Sequence, residues 1–244
     1  MEAVGFEMKI LQILEEFIKE CTHNLSLKSI IQFGSSTYYK NFEDIDIIFI
    51  FNDNVIKTSN ILKLRDIIKK FEEVHKEIVF DFGGVGTRKR KAQYSITIVL
   101  LSLQDLNTKY TPQDLFLLKT LKLDKNLKVL YGVNPFTNSN TKLTKQHLFE
   151  MLSIELKHTL RKNLDGEIDK ESVYRLFKTF LRAMLIEYGF FEKKELLDEF
   201  NKKFGEKVKL PKNSKDIMLK TIRNEDFKDI LNFAENCLKY LLEK

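Results

Sequence analysis

The hydrophobic positions along the chain change their spacing near residue 140. Before that point, short runs of apolar and β-branched residues alternate with segments whose apolar residues recur every three or four positions. The first pattern indicates strands, and the second indicates one face of a helix. After residue 140 the helical spacing continues almost alone. The pattern therefore predicts an α+β domain over residues 1–138, followed by an all-α helical bundle over residues 139–244.

Five strands and three helices are predicted before this boundary. The strands are expected at residues 29–33, 45–51, 77–82, 94–101 and 127–131, and the helices at residues 7–21, 59–74 and 112–123. Turn-forming residues predict a linker over residues 133–144. Beyond it, Thr144 is suited to cap a helix that begins at Lys145 and ends at Asp165-Gly166. Further helices are expected at residues 169–187 and 191–204 and between Pro211 and the end of the chain.

The composition is that of a folded protein with a mild positive charge. Hydrophobic residues make up 43% and charged residues 31%, and only nine Gly and three Pro occur, which excludes collagen-like and low-complexity classes. The net charge of +6 favours a phosphate-rich partner weakly. Cys21 and Cys237 are too few and too far apart in sequence to indicate a disulfide scaffold. The apolar runs fall short of the about 20 residues that span a bilayer, so we expect a cytoplasmic protein without a membrane anchor.

The most informative stretch is residues 30–51, in which a predicted strand is followed by Gly34-Ser35-Ser36 and then by Asp44-Ile45-Asp46. Residues two apart in a strand face the same way, so Asp44 and Asp46 project from one face. Two neighbouring carboxylates repel each other unless a cation neutralises them, and their oxygens suit Mg²⁺. The pair is therefore a candidate metal site.

The turn before the carboxylates suits an anion. A glycine allows close approach to the backbone, and the hydroxyl and N–H groups that follow it can donate hydrogen bonds to phosphate oxygens. Lys40, a few residues further on, could contact the same phosphates or pack on the protein. Turn and metal pair together predict a site for a metal-bound triphosphate.

The order of strand, Gly-Ser turn and strand with Asp-x-Asp resembles the signature of the nucleotidyltransferase superfamily typified by DNA polymerase beta. Residues 128–136, KVLYGVNPF, resemble a second segment of small prokaryotic members, the minimal and aminoglycoside nucleotidyltransferases. The resemblance covers about residues 25–136. It implies a small mixed sheet with flanking helices, joined to a helical domain that binds the acceptor or another partner.

The resemblance also implies roles for particular residues. Gly34 and Ser35, with Ser36 and Lys40 nearby, are expected to bind the nucleotide phosphates. Asp44, Asp46 and a third carboxylate are expected to bind two Mg²⁺ ions.

The sequence alone does not decide which residue provides the third carboxylate. Asp81 is the first choice, because a charged residue inside an apolar strand needs a reason. A second alignment places Thr97 at this position, which leaves the site without a third acid. Glu77 is another acid within reach of the same region.

The predicted activity is the Mg²⁺-dependent transfer of a nucleoside monophosphate from an NTP to an acceptor hydroxyl, with release of pyrophosphate. The acceptor could be RNA, a protein or a small molecule. A second hypothesis is a binding or regulatory protein, such as an antitoxin-like partner, that retains the fold with weak or no transfer. A third is a basic nucleic-acid-binding protein, for which the run at residues 87–91 could contact phosphate or form a solvated turn.

Overall fold

The computed structural model describes residues 2–37, 44–82, 92, 94–106, 112–138, 142–164 and 168–243. In these ranges, a mixed five-stranded sheet organises the first half of the chain. Its strands are β1 (Leu27–Phe33), β2 (Asp44–Phe51), β3 (Ile78–Asp81), β4 (Tyr94–Leu101) and β5 (Lys128–Gly132). Their order across the sheet is β3-β4-β2-β1-β5. β1 runs antiparallel to β2 and β5, whereas β4 runs parallel to β2 and β3. The expected mixed sheet is confirmed.

Two helices, α1 (Glu2–Asn24) and α2 (Thr58–Val74), supply the core that covers one face of this sheet. Their apolar stripes meet alternate residues of the strands, among them Ile45 and Ile47 of β2. Phe17 of α1 lies at the centre, with its ring centroid 4.6 Å from that of Phe80 and 5.3 Å from that of Phe71. Because side chains alternate along a strand, the intervening residues of β2 face the other side of the sheet.

The second compact unit is helical. It consists of α3 (Pro112–Leu123), α4 (Lys145–Lys162), α5 (Lys170–Leu185), α6 (Leu196–Phe204), α7 (Ser214–Met218) and α8 (Asn224–Leu242). Its core contains the fully buried rings of Phe177, Phe180, Phe200 and Phe233. Thr144 caps α4 as predicted, with its side chain accepting a hydrogen bond from the His147 N–H.

α3 belongs to the second compact unit, although it precedes β5 in the chain. The reason is that Leu115, Phe116 and Leu123 pack against the core of that unit. The division between residues 138 and 139 stays a prediction. One helix boundary differs from the sequence prediction, since α6 begins at Leu196 rather than at residue 191, because the Glu195 carboxylate accepts from the Glu192 N–H and closes a turn before the helix.

Within the described residues, no helix combines the length and the apolar character needed to cross a membrane.

The central position of Phe17 gives a first prediction. Phe17→Ala should lower the free energy of unfolding by about 3–5 kcal/mol, because it leaves a cavity between α1 and the sheet. Urea denaturation followed by circular dichroism measures this change. Leu11→Ala on the exposed side of the same helix is the control and should change stability by no more than about 0.5 kcal/mol. Equal losses in the two variants would contradict the packing described.

Candidate active site

Asp44 and Asp46 lie on the face of the sheet that α1 and α2 do not cover. Their strand neighbours Ile45 and Ile47 are fully buried in the helix-side core, whereas the two aspartates are half-buried. The pairing of β2 with β4 places Ser95 opposite Asp44 and places Thr97 opposite Asp46. The predicted arrangement of both carboxylates on one face therefore matches the alternation seen in β2.

The carboxylate of Asp46 packs directly against the turn that follows β1. Phe33, the last residue of β1, pairs with Asp46, so Gly34 is the first residue beyond this pairing. Gly34 has φ +78°, a backbone conformation that residues with a side chain rarely adopt. A Cβ atom at Gly34 would lie 2.6 Å from Asp46 Oδ2, far inside van der Waals contact. Only glycine allows the turn and the carboxylate to come this close.

Internal hydrogen bonds hold the turn in place. The Thr37 N–H and hydroxyl both donate to the Gly34 carbonyl, at 3.2 and 2.7 Å. The Gln32 side chain donates to the Ser36 hydroxyl at 3.0 Å. Ser36 is 5% exposed, whereas Ser35 is half-buried. Ser35 is thus the more accessible hydroxyl, whereas Ser36 shapes the turn. Lys40 lies outside the described residues.

Asp81 lies on the same face as Asp46 but not on the neighbouring strand. It pairs with Thr97 of β4, which in turn pairs with Asp46 of β2. Two strand spacings, about 10 Å, therefore separate the backbones of Asp46 and Asp81. Among the described residues, no group of three or more His, Cys, Asp or Glu side chains is arranged to hold a metal ion. The structure brings Asp44 and Asp46 together and leaves Asp81 as a separate acid.

Glu77 is engaged elsewhere. Its carboxylate lies 2.7 Å from Lys9 Nζ on α1. The hydrogen bond from Lys9 lowers the pKa of Glu77 below its ordinary value, and backbone hydrogen bonding and the positive charge of Lys9 act in the same direction. Of the two acids considered for the third ligand, Glu77 faces α1, and Asp81 stays the prediction.

The segment at residues 128–136 has a structural explanation. Gly132 has φ +75°, and a Cβ atom there would collide with the Lys28 carbonyl oxygen of β1. The Asn134 side chain accepts a hydrogen bond from the Phe136 N–H, and the Phe136 ring is fully buried. These residues fix how the chain leaves β5. The basic run at residues 87–91 lies outside the described residues.

A mixed sheet presents a Gly-Ser turn beside two strand carboxylates, and a helical unit accompanies it. This is the arrangement that the resemblance to nucleotidyltransferases implied. The chain is similar in structure to spectinomycin adenyltransferase AAD(9) from Enterococcus faecialis, which was solved with ATP and spectinomycin. The TM-score is 0.54 at 14% sequence identity, and the match covers 98% of each chain. At this identity the likeness shows the fold.

No protein-family model matches the sequence, and no curated protein matches it.

The pair of Lys9 and Glu77 gives a pH-dependent prediction. The folded-state pKa of Glu77 lies below its ordinary 4.5, so the pair stabilises the fold fully above about pH 5 and loses this effect as the pH falls through the folded pKa. Glu77→Gln should lower the free energy of unfolding at neutral pH by about 0.2–1 kcal/mol. Urea denaturation from pH 7 to pH 3 should show the two proteins converging below pH 4.5. A difference that grows in acid would contradict the pairing.

The contact between Gly34 and Asp46 gives a double-mutant prediction. Gly34→Ala should destabilise the protein by about 1–2 kcal/mol through the positive φ alone, with a further cost from the collision with Asp46. In an Asp46→Ala background the collision disappears, so the two substitutions should couple by about 0.5–3 kcal/mol in urea denaturation.

Gly132→Ala is the matched control, because it meets a similar positive φ but collides with Lys28 instead. It should show no coupling to Asp46→Ala. Equal coupling of both glycines to Asp46 would mean that the contact is not the cause.

Proposed function

We propose that the protein is a Mg²⁺-dependent nucleotidyltransferase. An acceptor oxygen forms a bond to the α-phosphorus of an NTP, the bond between the α- and β-phosphates breaks, and pyrophosphate leaves. The observation that supports this most directly is the seating of the Asp46 carboxylate against the Gly34 turn. It brings the turn predicted to bind phosphate into direct contact with a carboxylate predicted to bind metal.

The donor set suits Mg²⁺. Asp44 and Asp46 offer carboxylate oxygens from one face of β2 and are half-buried rather than enclosed. Mg²⁺ typically takes one or two protein carboxylates, keeps several waters and accepts phosphate oxygens from the substrate. Asp44 and Asp46 would hold the metal, and Asp81 would contribute to a second ion. When bound, the metal neutralises charge on the phosphates and lowers the pKa of the acceptor hydroxyl.

The turn after β1 would supply the protein's contacts with the phosphates. Gly34 gives the phosphates access to the backbone, and the Ser35 hydroxyl can donate to a phosphate oxygen. Gln32 and Thr37 hold the turn rigid, so its donors are oriented before the nucleotide binds. Lys40 supplies a positive charge that follows the turn in sequence.

For the acceptor we propose a small molecule that bears a hydroxyl group. This rests on the structural match to an adenyltransferase that was solved with ATP and spectinomycin. The match covers 98% of both chains and therefore includes the helical unit. ATP is accordingly the first donor to test. RNA and protein hydroxyls are the other acceptor classes, and a helical unit can also bind a protein partner.

A specific observation favours a second candidate function. Thr97, a neutral residue, stands opposite Asp46 on the neighbouring strand, and Asp81 lies one strand further away. A site that lacks a close third carboxylate would bind Mg²⁺ and nucleotide but transfer slowly. The protein would then act as a nucleotide-dependent binding or regulatory protein.

The metal–nucleotide site makes a direct prediction. ATP with Mg²⁺ at 100 times the dissociation constant should stabilise the protein by about 2.7 kcal/mol. Asp46→Asn should abolish this effect, which thermal unfolding with and without EDTA measures. Asp66→Asn, an exposed acid on α2, is the control and should retain it. Stabilisation that is absent in the wild type, or that survives Asp46→Asn, would refute the site.

Transfer separates the two candidate functions. The enzyme should release pyrophosphate from ATP and transfer label from the α-phosphate to a spectinomycin-like acceptor. The binding protein would show the Mg²⁺-dependent stabilisation without pyrophosphate release. Asp81→Asn tests the third carboxylate, since it should reduce transfer while leaving nucleotide binding largely intact.

A further inference from the structure

One buried hydroxyl near the two carboxylates has no hydrogen-bond partner among the residues that the structure describes. Ser95 is 2% exposed, and its Oγ atom forms no hydrogen bond to any of them. A buried polar group without a partner is unfavourable, and such groups in native proteins usually meet a water, an ion or a ligand. A serine near the start of a strand has no distinctive sequence pattern, so Ser95 does not stand out from the sequence alone.

The sheet register places this hydroxyl beside the carboxylate pair. Ser95 of β4 pairs with Asp44 of β2, and paired residues of neighbouring strands project from the same face. Adjacent strands lie about 4.8 Å apart. The same alternation directs Ile45 and Ile96 together into the helix-side core. Ser95 therefore faces the side of the sheet on which Asp44 and Asp46 lie.

Asp44 and Asp46 alone would not fill the coordination shell of a bound metal ion. Within the part of the chain that the structure describes, Asp44 and Asp46 are not joined by a third His, Cys, Asp or Glu side chain to form a metal-binding group. Two carboxylates cannot complete the shell of a Mg²⁺ ion, so waters and phosphate oxygens must occupy the other positions. Those oxygens need hydrogen-bond partners from the protein.

We propose that the Ser95 hydroxyl forms a hydrogen bond with an oxygen atom in the shell of the Mg²⁺–triphosphate held at Asp44 and Asp46. The oxygen belongs either to a metal-bound water or to a phosphate. Ser95 is thus a positioning residue of the site, not a metal ligand. This inference rests on the proposed function, and it gives a reason for a polar residue at a buried position.

The chain offers a matched control in Ser29. Its hydroxyl is also buried and also lacks a hydrogen-bond partner within the described part of the chain. It projects from the same face of the sheet, but it pairs with Ile50 near the far end of β2. Ser29→Ala and Ser95→Ala remove the same atom from similar surroundings, and only the second removes it from beside Asp44.

Calorimetric titration with Mn²⁺, alone and together with α,β-methylene ATP, which cannot release pyrophosphate, tests the proposal. Ser95→Ala should weaken binding about 10-fold, as loss of a hydrogen bond to a metal-bound group typically does. Weaker binding of Mn²⁺ alone would identify a metal-bound water as the partner. Weaker binding of the nucleotide only would identify a phosphate oxygen. Ser29→Ala should leave both affinities unchanged.

Thermal unfolding without ligand separates this role from a structural one. Neither substitution should lower the melting temperature of the ligand-free protein, because each removes an unpaired buried hydroxyl. The inference is overturned if Ser95→Ala binds as tightly as the wild type, or if both serine variants weaken binding equally. If Asp46→Asn abolishes binding while Ser95→Ala does not weaken it, the inference alone fails. If the wild type binds neither ligand, the proposed function fails with it.

Discussion

The close approach of the Asp46 carboxylate to Gly34 is the constraint on which the rest of the site depends. It requires a positive φ at Gly34, the absence of a Cβ atom there, and the pairing of Phe33 with Asp46. A shift of one residue in the register between β1 and β2 would turn Asp46 toward the helices, because side chains alternate along a strand. The geometry of the site is therefore fixed by strand pairing rather than by flexible loops.

The apolar core behind the sheet maintains this register. Ile45 and Ile47 are fully buried against α1 and α2, and the aspartates that flank and separate them in sequence point the opposite way. A register slip would expose these isoleucines and bury two carboxylates, and both changes are unfavourable. Phe17 of α1 packs on Phe71 of α2 and on Phe80 of β3, and so connects both helices with the sheet. The hydrophobic packing thus supports the position of polar groups on the other face.

Local patterns predicted the elements, and non-local pairing decided what the sequence left open. The strands, the cap at Thr144 and the shared face of Asp44 and Asp46 follow from spacings within a few residues. The position of Asp81 relative to Asp46 depends on the parallel order of β3, β4 and β2, which periodicity does not encode. The membership of α3 in the helical unit likewise depends on contacts with residues far along the chain.

The charge of the described site bears on how metal and nucleotide would bind together. Two carboxylates, Asp44 and Asp46, balance the charge of one divalent ion, and the residues opposite them on β4, Ser95 and Thr97, are neutral. Asp81 lies beyond Thr97, about two strand spacings from Asp46. A second ion in this arrangement would need the negative charge of the triphosphate itself to balance it. Binding of the second metal and of the nucleotide should then be mutually dependent, because each supplies charge that the other requires.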